Sequence, residues 1–346
     1  MRKVTIIIPC RNEDKFIGKV LDNILIQDYL VDLMEVFIVD GMSTDKTREI
    51  IQFYCNQYNH FYMLDNPEYT VPYALNKAIL KASGNIIIRL DAHAIYPSNY
   101  VSTLVNYLNK LNADNVGAAL ETIPANNSIK ARSIAIAIST PFGVGNASFR
   151  VIKNEDSEYI PVDTVPFGCY KKEVFEKYGL FDEQLTRNQD NEFNERIISG
   201  GGKIYLIPSL KIKYFARENY SKLFRMFFQY GYFGPLVDIK LKRPTRLRRY
   251  IPMLFIFSLI LPQILYFVFK PFFYISLVTG FLYLITVSTI SIYESIKSKS
   301  ISLIPYLMYA YFISHISYGT GYISGIVDFA IRKKHKKNKL DKKLSR

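Results

Sequence analysis

Apolar residues in the first hundred positions form short runs that alternate with helical patterns. Runs of β-branched and aromatic residues with little charge are typical of strands buried on both faces of a parallel sheet. Between them, apolar residues recur every three or four positions, as in amphipathic helices. The alternation predicts an α/β fold with a doubly wound, mostly parallel sheet. The predicted strands are 4–9, 35–40, 61–64 and 86–90.

From residue 116 to residue 235 the pattern is mixed, and it includes a last predicted strand near 203–208. Asn188 is placed to cap a helix that carries Phe193 and Ile197 on its apolar side. The glycine-rich stretch 142–146 is either a flexible connection or a loop on the acceptor side. The aromatic segment 220–233 favours an interfacial helix, with a core helix as the alternative. The remaining predictions are a strand at 116–120 and helices at 128–139 and 171–178.

Two charge-free stretches, 251–269 and 271–293, are each long enough to cross the roughly 30 Å hydrocarbon core of a bilayer. With only Lys270 between them, they predict a helical hairpin. The following stretch, 300–327, is predicted to be interfacial or re-entrant, because a third crossing would place the basic tail outside. His315 within it is predicted to be a packed and partnered side chain.

The net charge of +14 comes from two blocks that flank this apolar region. Residues 240–249 contain six basic residues and no acid, which gives a charge of +6. Residues 332–346 contain nine basic residues and one acid, which gives +8 and completes the +14. Basic juxtamembrane blocks indicate contact with anionic lipid headgroups on the cytoplasmic side and argue against nucleic acid as the partner. The three cysteines show no disulfide or metal-binding pattern, which fits a reducing compartment.

These patterns divide the chain into four predicted parts. They are an α/β domain (1–218), an amphipathic interfacial helix with a basic linker (219–250), membrane helices (251–330) and a basic cytoplasmic tail (331–346).

Polar residues follow three of the predicted strands: Arg11 and Glu13 after the first, Asp40 after the second, Asp91 and His93 after the fourth. Ligands of open α/β sheets bind outside the carboxyl ends of the strands, so these side chains are expected to converge. A carboxylate and an imidazole two residues apart could hold Mn²⁺ or Mg²⁺ and, through it, a substrate's phosphates. Neither a dinucleotide-binding glycine pattern nor a P-loop is present.

Three of these segments, 5–13, 39–47 and 91–93, resemble the successive motifs of family 2 glycosyltransferases with the GT-A fold. The resemblance covers about residues 4–235. It is closest to membrane-associated enzymes that build exopolysaccharide repeats on a lipid carrier, of the succinoglycan type. It implies that residues 1–218 form a domain that binds a nucleotide-sugar.

The resemblance also assigns roles to single residues. It implies that Asp40 pairs with the base, that Asp91 and His93 lie at the metal and the diphosphate, and that Phe167 and Gly168 approach the donor. The nucleoside is bordered by Pro9, Arg11 and Glu13, with Glu13 near the ribose. The usual family motif has a second Asp where this chain has His93, and an imidazole ligand favours Mn²⁺ over Mg²⁺.

Asp190 matches the catalytic base of the family. The family pattern at this place is Glu-Asp, and here Gln189 replaces the Glu. Glu192 and Arg196 are weaker predictions, as acceptor contacts or as supports of the base. A single base opposite a metal predicts inversion, since the leaving diphosphate needs no proton. The chain has no Trp and therefore lacks the Gln-x-x-Arg-Trp motif of processive synthases, which favours addition of a single sugar.

The sequence thus predicts a membrane-bound, inverting hexosyltransferase with a cytoplasmic catalytic domain. It would move one sugar from a nucleotide-sugar, predicted to be a UDP-hexose, to a lipid-linked saccharide. An alternative acceptor is polyprenyl phosphate, whose ionised oxygen needs no base. A further alternative is a non-catalytic membrane adaptor with the same fold.

Overall fold

The computed structural model describes residues 2–145, 147–152 and 156–337. They form two compact units, here called the α/β unit (1–121 and 148–214) and the helical unit (122–147 and 215–340). The predicted bounds placed 122–147 in the first domain, whereas in the structure this segment belongs to the helical unit. In the chain, this segment interrupts the α/β unit after residue 121, and the α/β unit resumes at residue 148.

The described strands are β1 (Val4–Cys10), β2 (Met34–Asp40), β3 (Phe61–Asp65), β4 (Ile86–Arg89), β5 (Ala94–Ile95), β6 (Asn115–Ile123), β7 (Ile160–Pro161), β8 (Cys169–Lys171) and β9 (Ile204–Phe215). The α-helices are α1 (Ile17–Leu25), α2 (Thr47–Gln57), α3 (Val71–Lys81), α4 (Tyr100–Lys110), α5 (Ile129–Ala137), α6 (Pro141–Val144), α7 (Glu173–Tyr178), α8 (Gln189–Ser199), α9 (Tyr220–Tyr232), α10 (Gly234–Leu241), α11 (Ile251–Leu265), α12 (Phe272–Lys297) and α13 (Ile304–Gly325). Short 3-10 turns lie at Val31–Leu33, Leu247–Tyr250, Ile301–Leu303 and Lys334–Lys337, and a π-helical turn at Ile326–Ile331.

Within the described residues, these strands form one mixed sheet in the order β3-β2-β1-β4-β8-β6-β9-β5, with β7 paired to β9. The first four strands in this order are parallel, so the parallel half predicted from the sequence is confirmed. Strand β8 then runs antiparallel to β4 and to β6. Because β3, β2, β1 and β4 share a direction, their carboxyl ends lie at one edge of the sheet.

The core of the α/β unit lies on both faces of the sheet, as the uninterrupted apolar strands require. On one face Ile6 and Ile88 pack with Leu21 of α1 and Leu104 of α4. On the other face Ile7 and Ile87 pack with the helices α3, α7 and α8, through Leu75, Val174 and Phe193 among others. Strand residues alternate between the two faces with period two, which fixes the face that each strand-end side chain occupies.

In the helical unit, α13 packs along α9 and is continuous over 22 residues. Its buried face includes Leu307, Tyr311 and Ser317. This continuous helix contradicts the re-entrant form predicted for 300–327, while the interfacial form stays a prediction. The glycines of the helix serve close packing. A Cβ added to Gly321 would overlap the carbonyl of Phe228 in α9, and one added to Gly231 would overlap the carbonyl of Tyr318. The same contact makes 220–232 a core helix of its unit, which was the alternative.

The two apolar stretches form α11 and α12, which pack on each other as a hairpin. Residues 247–265 and 272–297 are both long and apolar enough to cross a membrane, and only about a fifth of each is buried in the protein. At 1.5 Å per residue they span about 28 and 39 Å, against a hydrocarbon core of roughly 30 Å. The predicted hairpin is confirmed as a packed helix pair.

The glycine-rich stretch 142–146 is part of a packed turn. Pro141–Val144 forms the short helix α6, which Thr140 caps through its hydroxyl. Gly143 lies so close to the carbonyl of Ala137 that a Cβ would overlap it, so a flexible connection is excluded for these residues. Asn146 lies outside the described residues. The ring of His315 contacts the carbonyl of Phe142 and the hydroxyl of Tyr283, so the predicted packed histidine is confirmed.

Candidate active site at the carboxyl edge of the parallel strands

Asp40 ends β2 and is fully buried. Its carboxylate accepts hydrogen bonds from the amide and the hydroxyl of Ser43, at 3.0 and 2.5 Å, and from Arg48 at 2.6 Å. Arg48 also forms an ion pair with Asp65, which ends the neighbouring strand β3, at 2.8 Å. Three donors already satisfy most of the acceptor capacity of this carboxylate. Asp40 thus holds the loop after β2 in place, and a base contact would use what capacity remains.

Glu13, Asp91 and His93 come together at the ends of β1 and β4. The Nδ1 atom of His93 lies 3.1 Å from Asp91 Oδ1 and 3.6 Å from Glu13 Oε1. Glu13 is held by its amide, which donates to the hydroxyl of Thr47 at 2.7 Å, and Asp91 by its amide, which donates to the hydroxyl of Tyr96 at 2.6 Å. Burial opposes protonation of the imidazole, but the charge of Asp91 and the hydrogen bond with Glu13 outweigh it and raise the pKa of His93.

This cluster fits a divalent cation only in part. In the described ranges, no group of three or more His, Cys, Asp or Glu side chains is arranged to hold a metal by itself. Two donors 3.1 Å apart do fit adjacent positions of an octahedral ion with ligand distances near 2.1 Å. Mg²⁺ and similar hard ions usually take one or two protein ligands and complete their shell with water and substrate phosphates. Asp91 and His93 suit such a shared site.

A cleft opens beside the ends of β1 and β2, against the start of α3. Its walls include the predicted residues Pro9 and Arg11, and also Tyr69 and Thr70, which sequence reasoning missed. The guanidinium of Arg11 stacks on the ring of Tyr69, with its carbon 4.7 Å from the ring centroid. Thr70 is buried, and in the described part of the chain its hydroxyl has no hydrogen-bond partner. A flat aromatic–guanidinium wall beside an unpaired hydroxyl suits a nucleobase.

Phe167 and Gly168 are brought to the end of β4 from the segment before β8. Phe167 has φ +48°, a left-handed backbone that is uncommon for any residue with a side chain. Its ring lies under the guanidinium of Arg89, whose carbon is 5.6 Å from the ring centroid. Gly168 accepts a hydrogen bond from the amide of Arg89 at 3.1 Å. A Cβ on Gly168 would overlap Asn115, so close packing inside the protein explains this glycine without a donor.

Asp190 lies in the first turn of α8, where the helix dipole favours an anion. Asn188 is the residue before the helix, as predicted, but it caps through its backbone carbonyl, which accepts from the amide of Glu192 at 2.9 Å. The charges of Asp190 and Arg89 both act on the buried hydroxyl of Tyr170. Burial raises the pKa of Tyr170, Asp190 raises it further and Arg89 opposes the rise. Asp190 and the end of β4 therefore face a common neighbour.

The weaker predictions on α8 have contacts inside the protein. Glu192 and Arg196 form a two-point ion pair, with Nε–Oε1 at 2.7 Å and Nη2–Oε2 at 2.9 Å. Arg196 also donates to the carbonyls of Tyr178 and Leu180 and so ties α8 to the loop after α7. Gln189 is buried at the start of the helix. Through these contacts, Glu192 and Arg196 can stabilise the turn that carries Asp190. Binding of the acceptor by these residues stays a prediction.

The model of the family described as Glycosyl transferase family 2 matches residues 5–179, just over half of the chain. The chain is a family 2 glycosyltransferase.

Two curated relatives show where this glycosyltransferase has its similarity. It is 31% identical over 239 residues to the dolichyl N-acetyl-α-D-glucosaminyl phosphate 3-β-D-2,3-diacetamido-2,3-dideoxy-β-D-glucuronosyltransferase of Methanococcus voltae, across 67% of this chain and 72% of that protein. It is 29% identical over 252 residues to the succinoglycan biosynthesis protein ExoA of Rhizobium meliloti, across 72% and 74% of the two chains. The predicted family resemblance is confirmed.

Solved structures share the fold of this glycosyltransferase. The mannosyltransferase PcManGT of Pyrobaculum calidifontis, solved with GDP-Man and Mn²⁺, superposes with a TM-score of 0.60 at 19% identity, over 96% of this chain and 88% of that one. The TarS 1–349 structure of S. aureus superposes with a TM-score of 0.52 at 16% identity, over 93% and 90%. The predicted GT-A fold is confirmed.

Four residues of the candidate site were not predicted from the sequence: Arg48, Tyr69, Thr70 and Arg89. A signal existed for Arg89, which is the only charge in the apolar run of β4 and stands two residues before Asp91. Period two places it on the same side of the strand as Asp91. For Arg48, Tyr69 and Thr70 no comparable signal exists in the sequence, because their importance depends on neighbours from other elements.

Proposed function

We propose that this glycosyltransferase is an inverting, metal-dependent enzyme that moves one sugar from a nucleotide-sugar to a lipid-linked saccharide. The proposed donor is a UDP-hexose. The observation that carries the proposal is the cluster at the carboxyl edge of the parallel strands, in which His93 Nδ1 lies 3.1 Å from Asp91 and 3.6 Å from Glu13. Family 2 membership makes that edge the place where donor chemistry is expected.

The donor side is assigned as follows. The cleft beside Arg11, Tyr69 and Thr70 receives the base, while Asp40 keeps the adjoining loop in shape. Glu13 faces the ribose. Asp91 and His93 hold the diphosphate through a divalent ion, for which we propose Mn²⁺ over Mg²⁺ because of the imidazole ligand. When bound, the ion neutralises charge on the leaving diphosphate.

On the acceptor side Asp190 is the proposed base. It takes the proton of the acceptor hydroxyl as that oxygen bonds to the anomeric carbon and the bond to the diphosphate breaks. Attack from the side opposite the leaving group inverts the anomeric carbon. Glu192 and Arg196 stabilise the turn that positions Asp190. This one-base arrangement differs from the two carboxyls that a glycosidase needs.

A lipid-linked acceptor is supported by the name of the archaeal relative, which specifies a dolichyl-linked saccharide phosphate. The exposed apolar helices α11 and α12 also support it, since they would hold the enzyme where such acceptors reside. We place the α/β unit on the cytoplasmic face. Lys242 and Arg243 are exposed and would meet anionic headgroups, whereas Arg249 is buried beside Asp238 and is assigned a structural role.

The test is nucleotide release by the detergent-purified protein from a panel of nucleotide-sugars, with Mn²⁺ and with a chelator. A purified lipid-linked saccharide fraction is added in parallel. We expect metal-dependent release from one donor, lost in Asp91→Asn, and an acceptor product of inverted configuration. Release that persists in the chelator would contradict metal dependence. If no panel member is bound or turned over, the donor assignment fails.

A further inference from the structure

Arg89 occupies a position that the assigned roles do not use. It is the last residue of β4 and lies on the same side of the strand as Ile87 and Asp91. Ile87 belongs to the core that α8 covers, so Arg89 stands between that core and the cation-binding pair. The shared electrostatic influence of Arg89 and Asp190 on Tyr170 places it on the Asp190 side.

Within the part of the chain that the structure describes, the guanidinium of Arg89 has no anionic partner. Among the described residues no carboxylate oxygen lies within 4.0 Å of it, and its buried Nε has no hydrogen-bond acceptor. Two other arginines of the same unit are paired, Arg48 with Asp40 and Arg196 with Glu192. A buried guanidinium N–H without an acceptor is unfavourable, and such groups usually have a partner in the working state of a protein.

The neighbours of Arg89 support its orientation without neutralising its charge. The ring of Phe167 lies beneath the guanidinium, and the strained left-handed backbone at Phe167 puts the ring there. The carbonyl of Phe167 accepts from the hydroxyl of Tyr100 at 3.4 Å. Backbone strain of this kind persists only where the surrounding structure enforces it, and it concentrates at ligand sites. The stack leaves the edge of the guanidinium, Nε and one Nη, for a two-point contact.

We propose that Arg89 binds an oxyanion of the donor, side-on through Nε and one Nη, on the sugar side of the pair Asp91 and His93. This inference rests on the proposed function. Two donor groups carry such oxygens: the second phosphate, shared by all nucleoside diphosphate sugars, and the carboxylate of a uronic acid. In either case Phe167 is a positioning residue that acts through Arg89.

The experiment is calorimetric titration of the full-length, detergent-purified protein in a chelator, so that no metal contributes. The probes are UMP with UDP, GMP with GDP, and UDP-glucose with UDP-glucuronate. We expect Arg89→Gln to leave monophosphate affinity unchanged and to weaken either diphosphate or uronate binding by about tenfold to a hundredfold, the range for a hydrogen bond to a charged group. Arg89→Lys keeps the charge without the two-point geometry, so its affinity should lie between those of the wild type and Arg89→Gln.

The pairs of probes distinguish the second phosphate from the sugar carboxylate as the group that Arg89 binds. A loss that appears with UDP or GDP assigns the second phosphate, and a loss confined to UDP-glucuronate assigns the sugar carboxylate. The matched control is Arg2→Gln, an exposed arginine of the same unit, which should change no affinity. Unchanged monophosphate affinity shows that the variant is folded, and if Arg89→Gln fails this check, Arg89→Lys decides.

If Arg89→Gln binds every probe as the wild type does, the inference is overturned while the proposed function stands. If the wild type binds none of the probes and no donor of the release panel, the proposed function falls, and this inference falls with it.

Discussion

Two threonines of the α/β unit differ in what their hydroxyls do. Thr47 is buried, and its oxygen accepts a hydrogen bond from the amide of Glu13 at 2.7 Å. Thr70 is also buried, and it precedes α3 with an extended backbone. Within the described residues, its hydroxyl has no hydrogen-bond partner. Since a buried hydroxyl gains from a hydrogen bond, the ligand-free protein leaves this interaction for a molecule in the cleft.

We expect Thr70→Val to weaken nucleotide binding about three- to tenfold, because valine keeps the shape and the backbone preference but removes the hydroxyl. Its free energy of unfolding should stay within about 0.5 kcal/mol of the wild type. Titration calorimetry and thermal unfolding followed by circular dichroism measure the two quantities. In the matched control Thr47→Val, the amide of Glu13 loses its acceptor and stability should fall by about 1–2 kcal/mol. Equal destabilisation by both variants would contradict the assignment.

Asp190→Asn should lower the transfer rate by about 10²- to 10⁴-fold, the usual contribution of a general base, while the affinity for the donor changes little. The measurement is initial rate against donor concentration at saturating lipid-linked acceptor, with direct donor titration beside it. Activity that survives the substitution would favour the alternative acceptor, a lipid phosphate, whose oxygen is ionised before it attacks.

At the residue scale, the parts of the site that follow from strand ends could be predicted. Glu13, Asp91 and His93 converge because parallel strands share an edge, and their positions in the chain are enough to place them there. Partners that cross between elements could not be predicted. Nothing in the sequence near Asp40 shows that Arg48 would occupy its carboxylate, and nothing near Phe167 shows that the backbone would turn left-handed.

At the scale of the elements, the carboxylate of Glu35 connects the amino-terminal ends of neighbouring strands. Glu35 on β2 accepts from the hydroxyl of Thr5 on β1 at 2.7 Å and from the amide and hydroxyl of Ser83 before β4, at 3.0 and 2.6 Å. It thereby joins three neighbouring strands at the edge opposite the candidate site. Burial opposes ionisation of Glu35, but the hydrogen bonds from Ser83 and Thr5 and the charge of Lys3 lower its pKa.

Because the pKa of Glu35 is lower in the folded protein than in the unfolded chain, its stabilising effect is present above the unfolded pKa near 4.5 and is lost as the pH falls through the folded pKa. We expect Glu35→Gln to reduce stability by about 1 kcal/mol at pH 7 and to flatten the decline in stability below pH 5. Thermal unfolding by circular dichroism from pH 7 to pH 3.5 measures this. A variant with the wild-type pH dependence would contradict the role given to Glu35.

The first four strands were predicted within one residue at each end, whereas β9 continues seven residues past its predicted end. The packing partners of the elements were not predicted. The helical pattern of 220–233 is equally compatible with a bilayer surface and with a protein core, since both are apolar on one side. The stretch 300–327 was predicted to be interfacial or re-entrant because of the basic tail that follows it. The structure has a continuous helix there, α13, whose glycines allow close approach to α9. Periodicity records which face is apolar and carries no information about what covers it.

At the scale of the whole molecule, α11, α12 and the connection between them carry many exposed apolar side chains among the described residues. Side chains such as Phe267 and Leu282 are 89% and 58% exposed. An apolar surface of this extent on a soluble protein marks an interaction site, and two helices of membrane-spanning length make a bilayer the natural one.

If this hairpin crosses the membrane, its connection and its outer ends lie on opposite sides. A cysteine at Val268, which is 81% exposed in the connection, should react with a membrane-impermeant maleimide in intact cells. A cysteine at Ser298, at the end of α12, should react only after permeabilisation. Both are placed in a Cys55→Ser background, because Cys10 and Cys169 are buried. Labelling of both positions from the same side would rule out a crossing.

The contact between α9 and α13 sets an order on biosynthesis. Gly231 approaches the carbonyl of Tyr318 in a segment that the ribosome adds 87 residues later. Leu223 and Phe227, on the core side of α9, share a cluster with Ile134 of α5 and with residues of α13. Helix α5 is made earlier, so the part of this cluster that is missing until α13 has been translated is the part from α13. The hairpin of α11 and α12 lies between the two in the chain and is therefore made first. The nascent chain thus completes the helix pair α11 and α12 before its helical unit can close, and the face of α9 that α13 covers stays open during the interval between residues 232 and 304.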